Sequence, residues 1–260
     1  MLGMGLATLR ISDENTDTLM RVSDVDGVIL SGILFDAGKN SQTLLEVGEE
    51  GASARHSSDP ICLSDLFFRV GGHSDEPTYA HTSVVINSSD VIGDNFWVWR
   101  ADHSHGVGWD TNVTVNGVEV NGDYVTFYGL FVEHYHEYQT IWNGEYGETY
   151  FYQSEIPYDP PTQEAYMSHD GTVNGWASYK IADDVQNHRA YGLGVYSCPR
   201  QPVKVANAIE APATPGIYIE HAVTVRLSGA DCLESVLNGE GDRIASNMMA
   251  INIYSGGTFS

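Results

Sequence analysis

Three carboxylates and a set of flat aromatic side chains are the residues of this chain best suited to chemistry. Glu155 stands in QSEIPYDPP (153–161), directly after the aromatic run at 150–152 and two residues before Pro157. Proline locks its own backbone and restricts the residue before it, and a fixed backbone is what a positioned acid needs. Glu133 lies in GLFVEH (129–134) and Asp102 in WVWRADH (97–103). If these three stack on one face, the like charges cannot all ionise cheaply. At least one pKa must then rise, and nearby aromatic rings raise it further by desolvation. A protonated carboxylic acid beside an ionised one is the equipment of glycoside hydrolysis. Trp97, Trp99, Trp142, Tyr152 and Tyr158 supply faces of the kind that hold pyranose rings. The plainer reading of each carboxylate is a solvated strand end, because a chain with a formal net charge of −23 has many of them to place.

Other groupings are less specific. His134 and His136 in EHYHEYQ (133–139) alternate and would share a strand face, but no third zinc ligand stands at good spacing, so a satisfied or surface pair is the reading. DHSHGVGWD (102–110) reads as a glycine-rich loop, and GLGVY (192–196) as a strand with a close-packed glycine. There is no GxSxG element, Walker loop or CxxC motif, and neither a cofactor nor a metal is expected. The cysteines Cys62, Cys198 and Cys232 are widely spaced and allow at most one disulfide.

The elements that must position these residues are strands. Short β-branched or aromatic runs bounded by Asn, Asp or Gly recur at 26–38, 61–72, 90–102, 123–134 and 148–158, then at 221–227 and 248–254. Residues 26–36 and 123–133 align: Asp26 with Asp123, Val28 with Val125, Gly32 with Gly129, Asp36 with Glu133. A strand, a Gly or Asn corner, a second strand and a polar residue form the unit. Irregular repeats of this kind predict an all-β, right-handed parallel β-helix, a solenoid formed by residues 1–260 as one domain. An antiparallel sandwich is the alternative, but few Asn-Gly or Asp-Gly hairpin signals join adjacent strands. Segments 48–60, 72–82 and 157–175 read as long loop excursions on one side. With equivalent residues about 4.8 Å apart along the coil axis, Asp102, Glu133 and Glu155 are expected to form one column.

Charge narrows the partners. Only 12 Lys and Arg stand against 35 Asp and Glu. Such a surface repels phosphate backbones and anionic lipid, so neither nucleic acid nor a membrane is an expected partner. A polyanionic substrate is disfavoured for the same reason. No apolar run approaches membrane-spanning length, and the N-terminal residues do not read as a secretion signal.

Four motifs in order, WxWRADH (97–103), GLFVEHYHEYQTIWNGEYG (129–147), YFYQSEIPYDPP (150–161) and AYGLGVYS (190–197), resemble the second half of glycoside hydrolase family 55, the exo-β-1,3-glucanases or laminarinases. The resemblance runs over most of the chain. It implies two tandem β-helices in the family, of which this chain looks like the second, C-terminal one alone, with an N-terminal β-helix as absent partner. It implies that Glu155 is the general acid of an inverting hydrolysis, with Glu133 a neighbouring carboxylate in the pocket. Tyr158 would line the same site, Trp99 and Asp102 would grip a terminal glucose, and Gln153 and Trp142 would also meet substrate. It further implies a neutral β-glucan such as laminarin as substrate, and an extracellular setting. A non-catalytic glycan-binding or structural β-helix is the second reading. A polysaccharide lyase is the third, and it would want a Ca²⁺ cage, a basic residue and an acidic polymer.

Overall fold

The computed structural model describes residues 1–243 and 251–254, and among them every regular element is a strand. The long strands β1 (Leu2–Arg10), β3 (Ile29–Asp36), β5 (Ile61–Val70), β7 (Val91–Arg100), β9 (Thr126–Glu133), β11 (Gly147–Glu155), β15 (Asn187–Ser197) and β17 (Gly216–Arg226) pair in that order, all parallel. β18 (Ile251–Tyr254) closes this sheet antiparallel to β17. Between successive long strands the chain crosses a second parallel sheet, made by β2 (Met20–Val22), β4 (Ser41–Val47), β6 (Thr78–Ile86), β8 (Asn112–Val120), β10 (Thr140–Trp142), β14 (Tyr179–Ile181) and β16 (Ile209–Glu210). A small antiparallel pair, β12 (Met167–Ser168) and β13 (Val173–Asn174), sits in the excursion after β11. This is a parallel β-helix, as the repeat predicts, and it removes the sandwich alternative.

From β3 to β17 each long strand bends at one left-handed residue. Gly32, Asp65, Asn95, Gly129, Phe151, Gly192 and His221 have φ of 71, 51, 55, 68, 66, 69 and 56° and occupy the same register position in successive strands. Gly32 and Gly129, aligned in the sequence repeat, are both in this column. Two side chains within it also bond, Asn95 Nδ2 donating to Asp65 Oδ1 at 2.7 Å. A second corner is held by an asparagine ladder. Asn143 donates to Asn121 at 2.7 Å, Asn121 to Asn87 at 2.8 Å, and Asn87 to the Gly48 carbonyl at 3.0 Å.

Inward residues fill the coil with stacked apolar rings. Phe35 and Phe68 lie parallel at 4.9 Å, Phe68 meets Phe96 at 5.8 Å, and Phe96 meets Phe127 edge-on at 5.1 Å. The excursion at 48–60 is anchored by His56, whose ring is buried and donates to Asp26 and Asp24, each at 2.8 Å. The expected loop at 72–82 is shorter than its sequence suggests, because residues from Thr78 onward already pair in β6. Of the run at 248–254, residues 248–250 lie outside the described residues.

Phe68→Ala should cost about 3–5 kcal/mol, since a ring held between two others leaves a cavity the rigid stack cannot close. The midpoint of urea unfolding checks this, with the denaturant slope unchanged.

Candidate active site

Glu133 and Glu155 end β9 and β11, and they are direct register partners on adjacent parallel strands. Both point outward, because inward and outward residues alternate after the left-handed corner. The outward column that contains them reads Asp36, Arg69, Trp99, Glu133, Glu155, Tyr196. Upstream in this column the carboxylate of Asp36 is neutralised by Arg69 at 3.0 Å. Further along, the two glutamates face each other with no cation between them in the column.

Asp102 is not a member of that column, contrary to the sequence expectation. Strand β7 ends at Arg100, and the register partner of Glu133 is Trp99. Asp102 instead reaches the site from the loop that follows, through His134, whose Nε2 is 3.6 Å from its Oδ1. The same Nε2 is 3.9 Å from Glu155. His134 Nδ1 donates to the Ile156 carbonyl at 3.1 Å, so a neutral ring turns its Nε2 lone pair toward the two carboxylates. Burial holds His134 in that neutral form, pushing its pKa down to about 4 against the pull of Asp102.

Glu155 is the more strongly perturbed acid. Burial, then the charge of Glu133, then that of Asp102 push its pKa up to about 7. Gln153, its outward neighbour two residues back, donates at 3.4 Å, and the Tyr158 hydroxyl donates to its Oε2. Glu133 is also raised by burial, but the Trp97 indole N–H donates to it at 2.9 Å and favours its charged form. The pair is unequal: Glu155 keeps a proton into the neutral range, while the indole N–H offsets part of the burial at Glu133. Trp97 and Trp99 stack at 5.3 Å beside them, and Trp97 remains 42% exposed.

Tyr158 is located by a clamp behind it. Arg100 is fully buried and donates to both oxygens of Asp159, at 2.9 and 2.8 Å. It also donates to the carbonyls of Asn112, Gly108 and His134, at 2.9, 2.9 and 3.1 Å. One guanidinium thus ties β8, the loop before it, the end of β9 and the Pro-rich segment after Glu155 to one point. This is the bidentate geometry for which arginine is suited. Tyr158 packs edge-on against His134 at 4.5 Å.

Of the site residues expected from sequence, Glu155, Glu133, Gln153, Tyr158, Trp99 and Asp102 converge here. Trp142 does not. It is fully buried on the inner side of β10, against Phe127, Tyr179 and His188, and offers no face to a ligand. Tyr152 is likewise an interior residue, its hydroxyl donating to the Ser178 carbonyl at 2.9 Å. His134, Arg100 and Asp159 belong to the site without having been expected in it. Their signal was present in EHYH, WRAD and YDPP, where a charged or histidine residue sits within each motif. His136 is satisfied within the backbone, donating to the Trp109 carbonyl at 2.8 Å.

A sequence profile of the LAM55 pectate lyase-like domain matches residues 1–155. Over 244 residues the chain is 46% identical to an exo-beta-1,3-glucanase of Streptomyces sp. (strain SirexAA-E / ActE), covering 93% of this chain and 39% of that protein. The solved structure of sacteLam55A from Streptomyces sp. SirexAA-E superposes with a TM-score of 0.92 at 43% identity, covering 98% of this chain and 46% of that one. A glutamate-to-alanine variant of the same protein, refined in complex with glucose, matches equally well. The chain thus spans less than half the length of these relatives.

Asp159→Ala leaves the Arg100 guanidinium buried without its counter-ion. The expected loss is about 3–5 kcal/mol of folding stability, read from thermal or urea unfolding.

Proposed function

This chain belongs to the LAM55 pectate lyase-like family, glycoside hydrolase family 55, and from that premise we propose that it carries the acid side of a hydrolytic site for a neutral β-1,3-glucan. The observation that carries the reading is a partly buried glutamic acid, Glu155, its pKa pushed up to about 7, in register with a second carboxylate, Glu133, that accepts an indole N–H. Glu155 would protonate the glycosidic oxygen of the departing sugar. Protonation at that oxygen converts a poor alkoxide leaving group into a neutral alcohol, and the anomeric centre then develops oxocarbenium character. Glu133 stabilises that positive charge and keeps Glu155 protonated between turnovers. Trp97 and Trp99 offer apolar faces for sugar rings, and Gln153, Tyr158 and Asp102 offer partners for hydroxyl groups.

An inverting outcome suits this arrangement. The two glutamates are stacked on one side of the cleft, so neither lies across a sugar ring from the other. A water attacking from the far face would need groups other than this pair, and no base is assigned. In the relatives, the length beyond that matched by this chain is a natural source for such groups. We place the activity outside the cell, on a laminarin-like polymer. Because the chain matches less than half of those relatives, the second reading is a β-helix that binds the same glucan without cleaving it.

Release of glucose from laminarin separates these readings. Wild type should release it, and Glu155→Gln should lower kcat by about 100-fold or more, the usual contribution of a positioned acid. Equal rates in the two proteins would remove Glu155 from the mechanism, and heat of binding without product would favour the binding module.

The pH profile follows from the sign of the shift. A general acid works only while protonated, and a raised pKa extends the protonated form upward from the usual 4.5 to about 7. The rate kcat/KM should therefore hold through mildly acidic pH and fall about tenfold per pH unit above about 7. An alkaline limb already falling near pH 5 would contradict the buried, paired environment of Glu155.

A further inference from the structure

On the opposite side of the left-handed corner, the outer face of the coil carries a second assembly that shares no residue with the carboxylate site. A groove of about 700 Å³ runs there across β9, β11, β15 and β17. Four strands at the spacing of a parallel sheet give it a length of about 14 Å. At one end Tyr124 and Tyr146 stack at 4.7 Å, both well exposed, and Arg55 covers Tyr124 at 4.0 Å. At the other end Tyr191 and Tyr218 meet at 5.6 Å but splay apart by 51°, which opens the tyrosine ladder instead of closing it.

One feature sets this groove apart from an ordinary external stack. Tyr124 and Tyr146 are held at φ of 55 and 57°, in the left-handed region that a bulky side chain adopts only under constraint. Glycine or asparagine would occupy those corners with less strain, so the exposed rings are kept there at a local cost.

The polar lining is balanced. Glu148 and Arg189 are 3.9 Å apart, and Glu148 also accepts from the Tyr150 hydroxyl at 3.0 Å. One carboxylate, one guanidinium and phenols make a locally uncharged groove on a strongly acidic chain. That combination suits a neutral ligand with apolar ring faces and many hydroxyls, not a peptide chosen by charge and not a polyanion. A single carboxylate without a second one opposite provides for binding, not for hydrolysis.

We propose that this groove binds a neutral β-glucan chain without cleaving it, holding polymer on a face of the coil separate from the carboxylate pair. The identity of the ligand rests on the glucan reading above, and the groove itself does not.

Affinity electrophoresis through gels containing laminarin tests the proposal, with Glu155→Gln as the parent so that polymer is not consumed. The parent should be retarded relative to a gel without laminarin. Adding Tyr146→Ala or Arg189→Ala should weaken the apparent affinity about fivefold or more, the effect of losing one ring or charged contact. Both residues are exposed, so the variants should unfold at the parent's midpoint. In the wild-type background the same substitutions should leave hydrolysis of a laminari-trisaccharide unchanged while slowing attack on the polymer. Retardation that survives both substitutions overturns the groove. Failure of wild type to hydrolyse laminarin, with retardation still lost in the groove variants, counts against the hydrolase reading alone.

Discussion

The in-register stacking of the long strands governs everything else in this molecule. Parallel pairing places residues of successive coils in columns about 4.8 Å apart, and each long strand must turn at the same point for that register to continue. The left-handed residue repeated from Gly32 to His221 is that point. Where the position is not glycine, each such residue costs on the order of 1 kcal/mol locally, and the ladder bonds and stacked rings on both sides offset it. Because every coil turns together, a residue type recurring at one position becomes a continuous stripe. Rings line the interior, and tyrosines line one outer face. Carboxylates and tryptophans line the face beyond the corner.

That geometry also makes the acid. Two glutamates on neighbouring strands cannot separate, because the backbone bonds that pair β9 with β11 hold their Cα atoms together. Their mutual repulsion has to be resolved by a proton, and the surroundings decide which one keeps it. Trp97 donates to Glu133 and offsets part of its burial, whereas burial together with the charges of Glu133 and Asp102 pushes Glu155 up to about 7. Behind the pair, Arg100 holds the Pro-rich segment against the coil. A buried ion pair of this kind contributes little net stability by itself. Its value here is positional, since its five hydrogen bonds reach four separate segments and place Tyr158 against the acid.

The glucan groove and the carboxylate face divide the same strands between them. Residues before the corner look out on one side and residues after it on another, so β11 contributes Glu148 to the first and Gln153 and Glu155 to the second. One nine-residue strand can in this way serve two surfaces without the two sharing a side chain.

The strand pattern, the Gly or Asn corner and the pairing of Glu133 with Glu155 were all determined by the sequence itself, because a repeat of short strands admits one stacking that keeps its apolar residues inside. The resemblance of four ordered motifs pointed to the same family that the comparisons then showed. Only the tertiary structure decided which aromatic residues face a ligand. Phe151, at φ 66°, adds one outward residue to β11 and resets the alternation, so that Tyr150 points out and Tyr152 points in. Trp142 lies in a three-residue strand, too short for alternation to reveal its side. Asp102 enters the site from a loop whose path no periodicity encodes. Four strands of the second sheet, β2, β10, β14 and β16, are only two or three residues long, and pairing with neighbouring coils, more than local propensity, makes them strands. A column is legible wherever neighbouring coils repeat, and it stops being legible where a corner shifts the parity or a loop leaves the coil.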